Sequence, residues 1–292
     1  MDSIIADEIE PNSVYELGCM EIAGGISTKV QKMKCPGLDL WISTHPYKGE
    51  ATGGDVHYIS LCGGGITTRI FLGDVSGHGS HVKEFSEEIR KLVKRYINAK
   101  TQARFVAEIN QKFNEYAQLS RFATAVVGTY IARNKTLELC IAGHPRPLFY
   151  NSLTGTWKYL GEGSKPAKTD IGVTNLPIGI DEDAEFDTFQ FDLQSGDVIV
   201  FYTDSLTESK SETAGFLGEE GLIKVAEALS MNQQVSIIGN NLLQGVSDFR
   251  NSQPADDDES LILIHHNGQG AKKMSPGEKI TVYAKFFGLK SY

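Results

Sequence analysis

Residues 67–79 read Thr67-Thr68-Arg69-Ile70-Phe71-Leu72-Gly73-Asp74-Val75-Ser76-Gly77-His78-Gly79. Apart from one arginine, the first six are β-branched, aromatic or aliphatic, the texture of a strand, and Gly73-Asp74 closes it. Upstream, Leu38, Leu40 and Ile42 alternate with Asp39, Trp41 and Ser43; Tyr58-Ile59-Ser60-Leu61 follows, and Gly63-Gly64-Gly65 reads as the hairpin turn into residue 67. Together these form a β-meander. Downstream the period changes: Val82, Phe85, Ile89, Leu92, Val93 and Tyr96 recur at spacings of three and four and share one helical face. Thr101 is placed to cap a second helix with apolar positions Phe105, Val106, Ile109, Phe113 and Tyr116.

Strand texture resumes over residues 124–132, 136–142, 147–150, 186–193 and 198–202. Two more amphipathic helices fit residues 219–229 and 235–246, before a last strand at 261–264. The order is strands, two helices, strands, two helices, strand. This differs from the regular βαβ alternation of a parallel sheet and predicts an α+β sandwich of mainly antiparallel sheets with helices packed outside. The expected layout is a polar lead-in over residues 1–21 with room for a short helix, one domain over 22–265, and a tail over 266–292. Within the tail, Ile280-Thr281-Val282-Tyr283-Ala284-Lys285-Phe286-Phe287 could form an edge strand or dock on a partner.

Hydrophobic residues make up 40% of the 292 and charged residues 22%, which excludes a disordered or rod-like chain. Lys plus Arg total 28 against 37 Asp plus Glu, a net charge of −9 that argues against nucleic acid or anionic lipid as partners. The N-terminus Met1-Asp2-Ser3-Ile4-Ile5-Ala6-Asp7-Glu8 is acidic where a secretory signal is basic. The longest apolar runs, such as Val198-Ile199-Val200-Phe201-Tyr202, are strand-sized and too short to span a bilayer. Cys19, Cys35, Cys62 and Cys140 form no CxxC pair and read as reduced thiols. The expectation is a cytoplasmic protein.

The chemistry-bearing feature is a set of aspartates at strand ends. Asp55 follows Gly53-Gly54, Asp74 ends Ile70-Phe71-Leu72-Gly73, Asp204 ends Val200-Phe201-Tyr202-Thr203, and Asp257 and Asp258 precede Leu261-Ile262-Leu263-Ile264. Any one of them could be an ordinary turn former. Four converging carboxylates would repel one another unless cations neutralised them, and hard ions such as Mg²⁺ or Mn²⁺ take oxygen ligands. No helical HExxH motif and no GxxxxGK[ST] loop is present, so a zinc protease or P-loop reading fails.

Beyond these acids, Phe122-Ala123-Thr124-Ala125, Ala142-Gly143-His144-Pro145, Leu176-Pro177-Ile178-Gly179, Gly196-Asp197 and Asp257-Asp258-Glu259-Ser260 complete an ordered set of segments. In that order the chain resembles the SpoIIE-like bacterial branch of the metal-dependent serine/threonine phosphatases, the protein phosphatase 2C superfamily, over about residues 18–265. The resemblance implies a four-layer αββα sandwich, two Mn²⁺ or Mg²⁺ ions at one end, and hydrolysis of phosphoserine or phosphothreonine by a water held between the metals. It implies Asp55 and Asp74 as core ligands, Asp74 bridging, with the Val75 carbonyl contributing. It further implies Asp204 and Asp257 on the other ion, Asp258 being the alternative because Asp256-Asp257-Asp258 leaves the register open by one. Ser205 stands where this branch usually has glycine.

Among neighbouring groups, His78 is a candidate proton donor or a turn residue. His144 reads as a structural residue beside the site, and Arg121 as either a phosphate-steering or an ordinary surface charge. The partner implied is a small phosphorylated single-domain regulator of the anti-sigma-factor-antagonist kind, in partner-switching signalling. A homodimer or an upstream sensor domain is compatible with this. The competing function is a catalytically silent phosphatase fold that docks a regulator.

Overall fold

The computed structural model describes residues 13–62, 65–76, 80–117, 121–161, 167–169 and 172–270. In chain order its first strands are β1 (Val14–Glu16), β2 (Ile22–Gly25), β3 (Lys29–Cys35), β4 (Leu38–His45), β5 (Asp55–Cys62) and β6 (Thr67–Val75). Helices α1 (Ser80–Tyr96) and α2 (Gln102–Ala117) follow. Next come β7 (Ala123–Ile131), β8 (Thr136–Ala142), β9 (Leu148–Asn151), β10 (Thr156–Tyr159), β11 (Ala167–Thr169), β12 (Gly172–Thr174), β13 (Phe189–Asp192) and β14 (Val198–Tyr202). The short strands β15 (Lys210–Ser211) and β16 (Gly215–Phe216), helices α3 (Gly218–Glu227) and α4 (Val235–Phe249), and β17 (Glu259–His266) complete the order.

Two sheets carry the fold. One has seven strands in the order β1-β3-β4-β17-β14-β9-β10, the other six in the order β13-β8-β7-β6-β5-β2. Every pairing is antiparallel except β1 with β3. The period-2 alternation of the strands sorts side chains between layers. Leu40, Ile42, Ile70, Leu72, Ile199 and Phe201 face the space between the sheets. Phe71 turns outward under Ile89, Val93, Phe105 and Ile109 of the first helix pair, and Trp41, Val200 and Tyr202 turn outward under Leu222, Ile238 and Leu242 of the second. This is the αββα sandwich. Gly239 lets α4 lie directly on the Trp41 ring, which a Cβ there would overlap.

The Thr101 cap is in place, its Oγ1 accepting the Arg104 N–H at 3.3 Å. The sequence did not reveal the short strands β10, β11, β12, β15 and β16, nor the three that precede the meander. Val14–Glu16 lies in the lead-in for which a helix was entertained, and Ile22–Gly25 and Lys29–Cys35 precede the meander. All four cysteines are free thiols. Among the described residues no helix is long and apolar enough to cross a membrane. Gly63-Gly64, the Gly77-His78-Gly79 turn and tail residues 271–292 lie outside the described residues.

Candidate functional site

The antiparallel register places Asp55, at the start of β5, directly opposite Asp74, near the end of β6. These two carboxylates therefore come from adjacent strands of the six-stranded sheet. From the seven-stranded sheet, Asp204 opens the short 3-10 turn that follows β14, and Asp257 and Asp258 lie just before β17, which pairs with β14. The Thr203 hydroxyl donates to Asp55 Oδ2 at 3.0 Å and accepts the Ser260 N–H at 3.0 Å. One hydroxyl thus ties the buried carboxylate of one sheet to the strand ends of the other.

The electrostatics are those of crowded acids. Asp55 is 1% exposed, and burial, then the charge of Asp74, pushes its pKa well above the usual carboxylate range, opposed by the Thr203 hydroxyl bond. Asp74 is pushed up to about 7 by burial, then by Asp204, Asp257, Asp258 and Glu208. Asp204 is pushed up to about 6 by burial, then by Glu208 and Asp257, with main-chain N–H groups opposing. Groups carried by both sheets thus feel one another's charge. Glu208 belongs to this field yet drew no notice in the sequence; its N–H bonds the Asp204 carbonyl at 2.7 Å, one turn on from that acid.

The donor set suits hard cations. Asp55 Oδ1 is buried with no hydrogen-bond partner among the described residues, an orphan anionic oxygen that a cation would satisfy. A Cβ on Gly54 would stand 3.3 Å from both Asp74 Oδ1 and the Val75 carbonyl oxygen. Those two oxygens therefore border the same small space, which glycine leaves open. Asp55, Asp74, the Val75 carbonyl, Asp204 and Asp257 could hold divalent ions there. Among the described residues no three His, Cys, Asp or Glu side chains stand close enough together to hold a metal ion as they are placed.

Asp257 and Asp258 differ in employment. Asp258 Oδ1 accepts the Tyr47 N–H at 2.6 Å, and its Oδ2 accepts the Gly54 N–H. Both its oxygens are thus engaged with main chain ahead of Asp55. Asp257 is exposed, with Oδ1 accepting the Asp258 N–H at 2.8 Å. Ser205 is buried in its turn and does not take a positive φ, so the backbone accommodates its Cβ. His144 Nδ1 lies 2.8 Å from Thr124 Oγ1, the residue paired with Asp74 across the sheet. Burial pushes its pKa down to about 3. Arg121 Nη1 donates to the Ser76 carbonyl at 3.0 Å, one residue past Val75. His78 lies outside the described residues.

Comparison with known proteins gives this arrangement a family. The pattern of Stage II sporulation protein E (SpoIIE) matches residues 64–267, well over half of the chain. The phosphoserine phosphatase RsbU of Bacillus subtilis (strain 168) is 26% identical over 159 residues, covering 53% of this chain and 42% of that protein, so under half of the relative's length is matched. The crystal structure of the RsbU and RsbW domains of a Mycobacterium tuberculosis protein superposes with a TM-score of 0.62 at 21% identity, over 90% of this chain and 70% of that one. RsbX in complex with magnesium superposes with a TM-score of 0.57 at 16% identity, over 81% of this chain and 99% of that one. At such identities the two structural matches speak for the fold alone. The sequence match over residues 64–267, laid on a sandwich whose two sheets deliver their acids to one end, means that the chain belongs to the SpoIIE family of PP2C-type phosphatases.

Proposed function

We propose that this chain is a Mn²⁺- or Mg²⁺-dependent protein phosphatase that hydrolyses phosphoserine or phosphothreonine on a small regulatory protein in bacterial partner-switching signalling. The observation that carries this reading is the pairing of Asp55 with Asp74 in one sheet, within the field of Asp204 and Asp257 from the other. Membership of a protein serine phosphatase family and similarity to a phosphoserine phosphatase support the reaction, and the magnesium bound to RsbX supports the kind of ion.

Asp55, Asp74, the Val75 carbonyl, Asp204 and Asp257 are the ligands in this reading, Asp74 serving both ions. Two bound divalent ions would supply an activated water and neutralise phosphate oxygens, so no protein nucleophile is needed. The protein's own part is placement. Thr203 fixes Asp55 Oδ2, which leaves Oδ1 for a cation. Asp258 holds the main chain of Tyr47 and Gly54, fixing the approach to Asp55. Arg121, anchored on the carbonyl of Ser76, the residue after Val75, is placed to steer phosphate. The setting is cytoplasmic, and a phosphorylated single-domain protein is the substrate class.

The test is hydrolysis of an aryl phosphate and of a phosphoserine peptide with Mn²⁺, with Mg²⁺ and with chelator, in the native chain and in Asp204→Asn. Turnover that needs a divalent ion and is lost in the variant is the expected result. A folded protein with no turnover under any ion, on peptide or on candidate phosphoproteins, would favour the silent docking module.

A further inference from the structure

A buried ion pair outside the acid cluster sits where two of those acids are carried. Arg250, immediately after α4, is 8% exposed. Its Nη1 donates to Glu259 Oε2 at 2.7 Å and to Ser209 Oγ at 3.0 Å. Ser209 is buried too, and its hydroxyl donates onward to the Ser205 carbonyl at 2.8 Å. Ser205 directly follows Asp204, and Glu259 stands two residues after Asp257. One guanidinium nitrogen therefore links the turn that carries Asp204 to the strand start that carries Asp257, working from the end of a helix packed on the same sheet.

The need for such a link follows from where the sheet stops. The β14–β17 ladder runs to Tyr202 opposite Leu261, with one more main-chain bond from Thr203 N–H to the Ser260 carbonyl at 3.1 Å. Asp204 and Asp257 both lie past that point, Asp257 exposed and Asp204 half-buried. Ladder bonds no longer set their separation. A buried ion pair is a poor device for stability, because desolvation offsets its attraction, but a planar guanidinium fixes geometry well.

We propose that Arg250, through Glu259 and Ser209, is a positioning residue that sets the separation of Asp204 and Asp257 and thereby the affinity of the site for a divalent cation. The proposal rests on the reading of those two acids as cation ligands. Both bonds come from Nη1, whose two N–H directions lie fixed in the guanidinium plane; lysine at position 250 would keep the charge but present a freely rotating tetrahedral ammonium on a flexible stem, so the two directions would no longer be fixed.

Calorimetric titration of Mn²⁺ into the chelator-treated full chain tests it, with apo melting temperatures recorded in parallel. Wild type should bind Mn²⁺ saturably, and Arg250→Lys should weaken that binding by about 10- to 100-fold, the usual effect of disturbing groups that orient metal ligands. Glu259→Gln should weaken it in the same direction, and turnover of a phosphoserine peptide should return toward wild type at saturating Mn²⁺. Arg69→Lys is the control: Arg69 is equally buried but holds the Ile97 and Ala99 carbonyls at the end of α1, so its loss should lower the melting temperature and leave Mn²⁺ affinity alone. Should Arg250→Lys fail to fold, Ser209→Ala removes one arm and should show a smaller loss of affinity. Unchanged Mn²⁺ affinity in folded Arg250→Lys, Glu259→Gln and Ser209→Ala would overturn the clamp and leave the metal reading standing. No saturable binding by wild type would overturn both.

Discussion

Asp258 accepts the main-chain N–H groups of Tyr47 and Gly54, whereas its neighbour Asp257 is exposed and lies in the field of Asp74 and Asp204. The two should therefore respond oppositely to loss of charge. Asp258→Asn weakens a charge-assisted contact to two backbone donors and should lower stability by about 1.5–3 kcal/mol, read by urea unfolding in chelator. Asp257→Asn removes one of several crowded negative charges, so metal-free stability should hold or rise while turnover falls by more than about 100-fold, beyond the usual effect of outer groups. Equal behaviour of the two variants would contradict the division of roles. Three consecutive acids, Asp256-Asp257-Asp258, give a sequence reader no basis for choosing, because the deciding partners lie some two hundred positions away at Tyr47 and Gly54. Glu208 stayed hidden for a related reason: it is exposed, sits in no strand, and gains its place only because the turn after β14 folds it toward Asp204.

Strand β14 was legible because burial on both sides forces a continuous hydrophobic run, and β4 because Leu38, Leu40 and Ile42 keep a period of two. Strand β3 was not, since Lys29-Val30-Gln31-Lys32-Met33-Lys34-Cys35 carries three lysines, one of them on the inward-facing parity, and buries only Gln31, Met33 and Cys35. Its alternation is real but carries few apolar residues. β1 forms by parallel pairing with β3, so its three residues show no local signal at all. Between β8 and β9, His144 sits buried against Thr124 with its pKa pushed down to about 3, chiefly by burial and slightly opposed by the Tyr202 main chain. Below the ordinary histidine pKa of about 6.5 the unfolded chain takes up a proton that the folded chain refuses, so stability falls with pH between about 6.5 and 3. From this residue the slope is about 1.4 kcal/mol per pH unit. His144→Gln should flatten the pH dependence of unfolding free energy by that amount between pH 6 and 4.5; an unaltered slope would mean that the imidazole is protonated in the fold.

Across the described residues the sandwich has three apolar layers, one between the sheets and one under each helix pair, and the layer under the first pair reaches the acids through Val56, Val75 and Val82. The acids gather where β5 begins, β6 and β14 finish and β17 starts, so each sheet contributes two of the four proposed carboxylate ligands. A sandwich of mainly antiparallel sheets with outer helices was legible from the order of strands and helices, and its four αββα layers from the family resemblance. The crossing point of the sheets was not, because it depends on long-range register: Asp55 opposite Asp74, and Tyr202 opposite Leu261. The account's central claim is that these acids form one divalent-metal centre shared by both sheets. Its most direct test is the stoichiometry of Mn²⁺ binding to the chelator-treated chain, measured by equilibrium dialysis for wild type, Asp74→Asn and Asp204→Asn. The account predicts two ions per wild-type chain, with both lost or severely weakened in Asp74→Asn and one retained in Asp204→Asn. Wild-type protein that is folded and binds no ion above background, or variants that bind as wild type does, would contradict it.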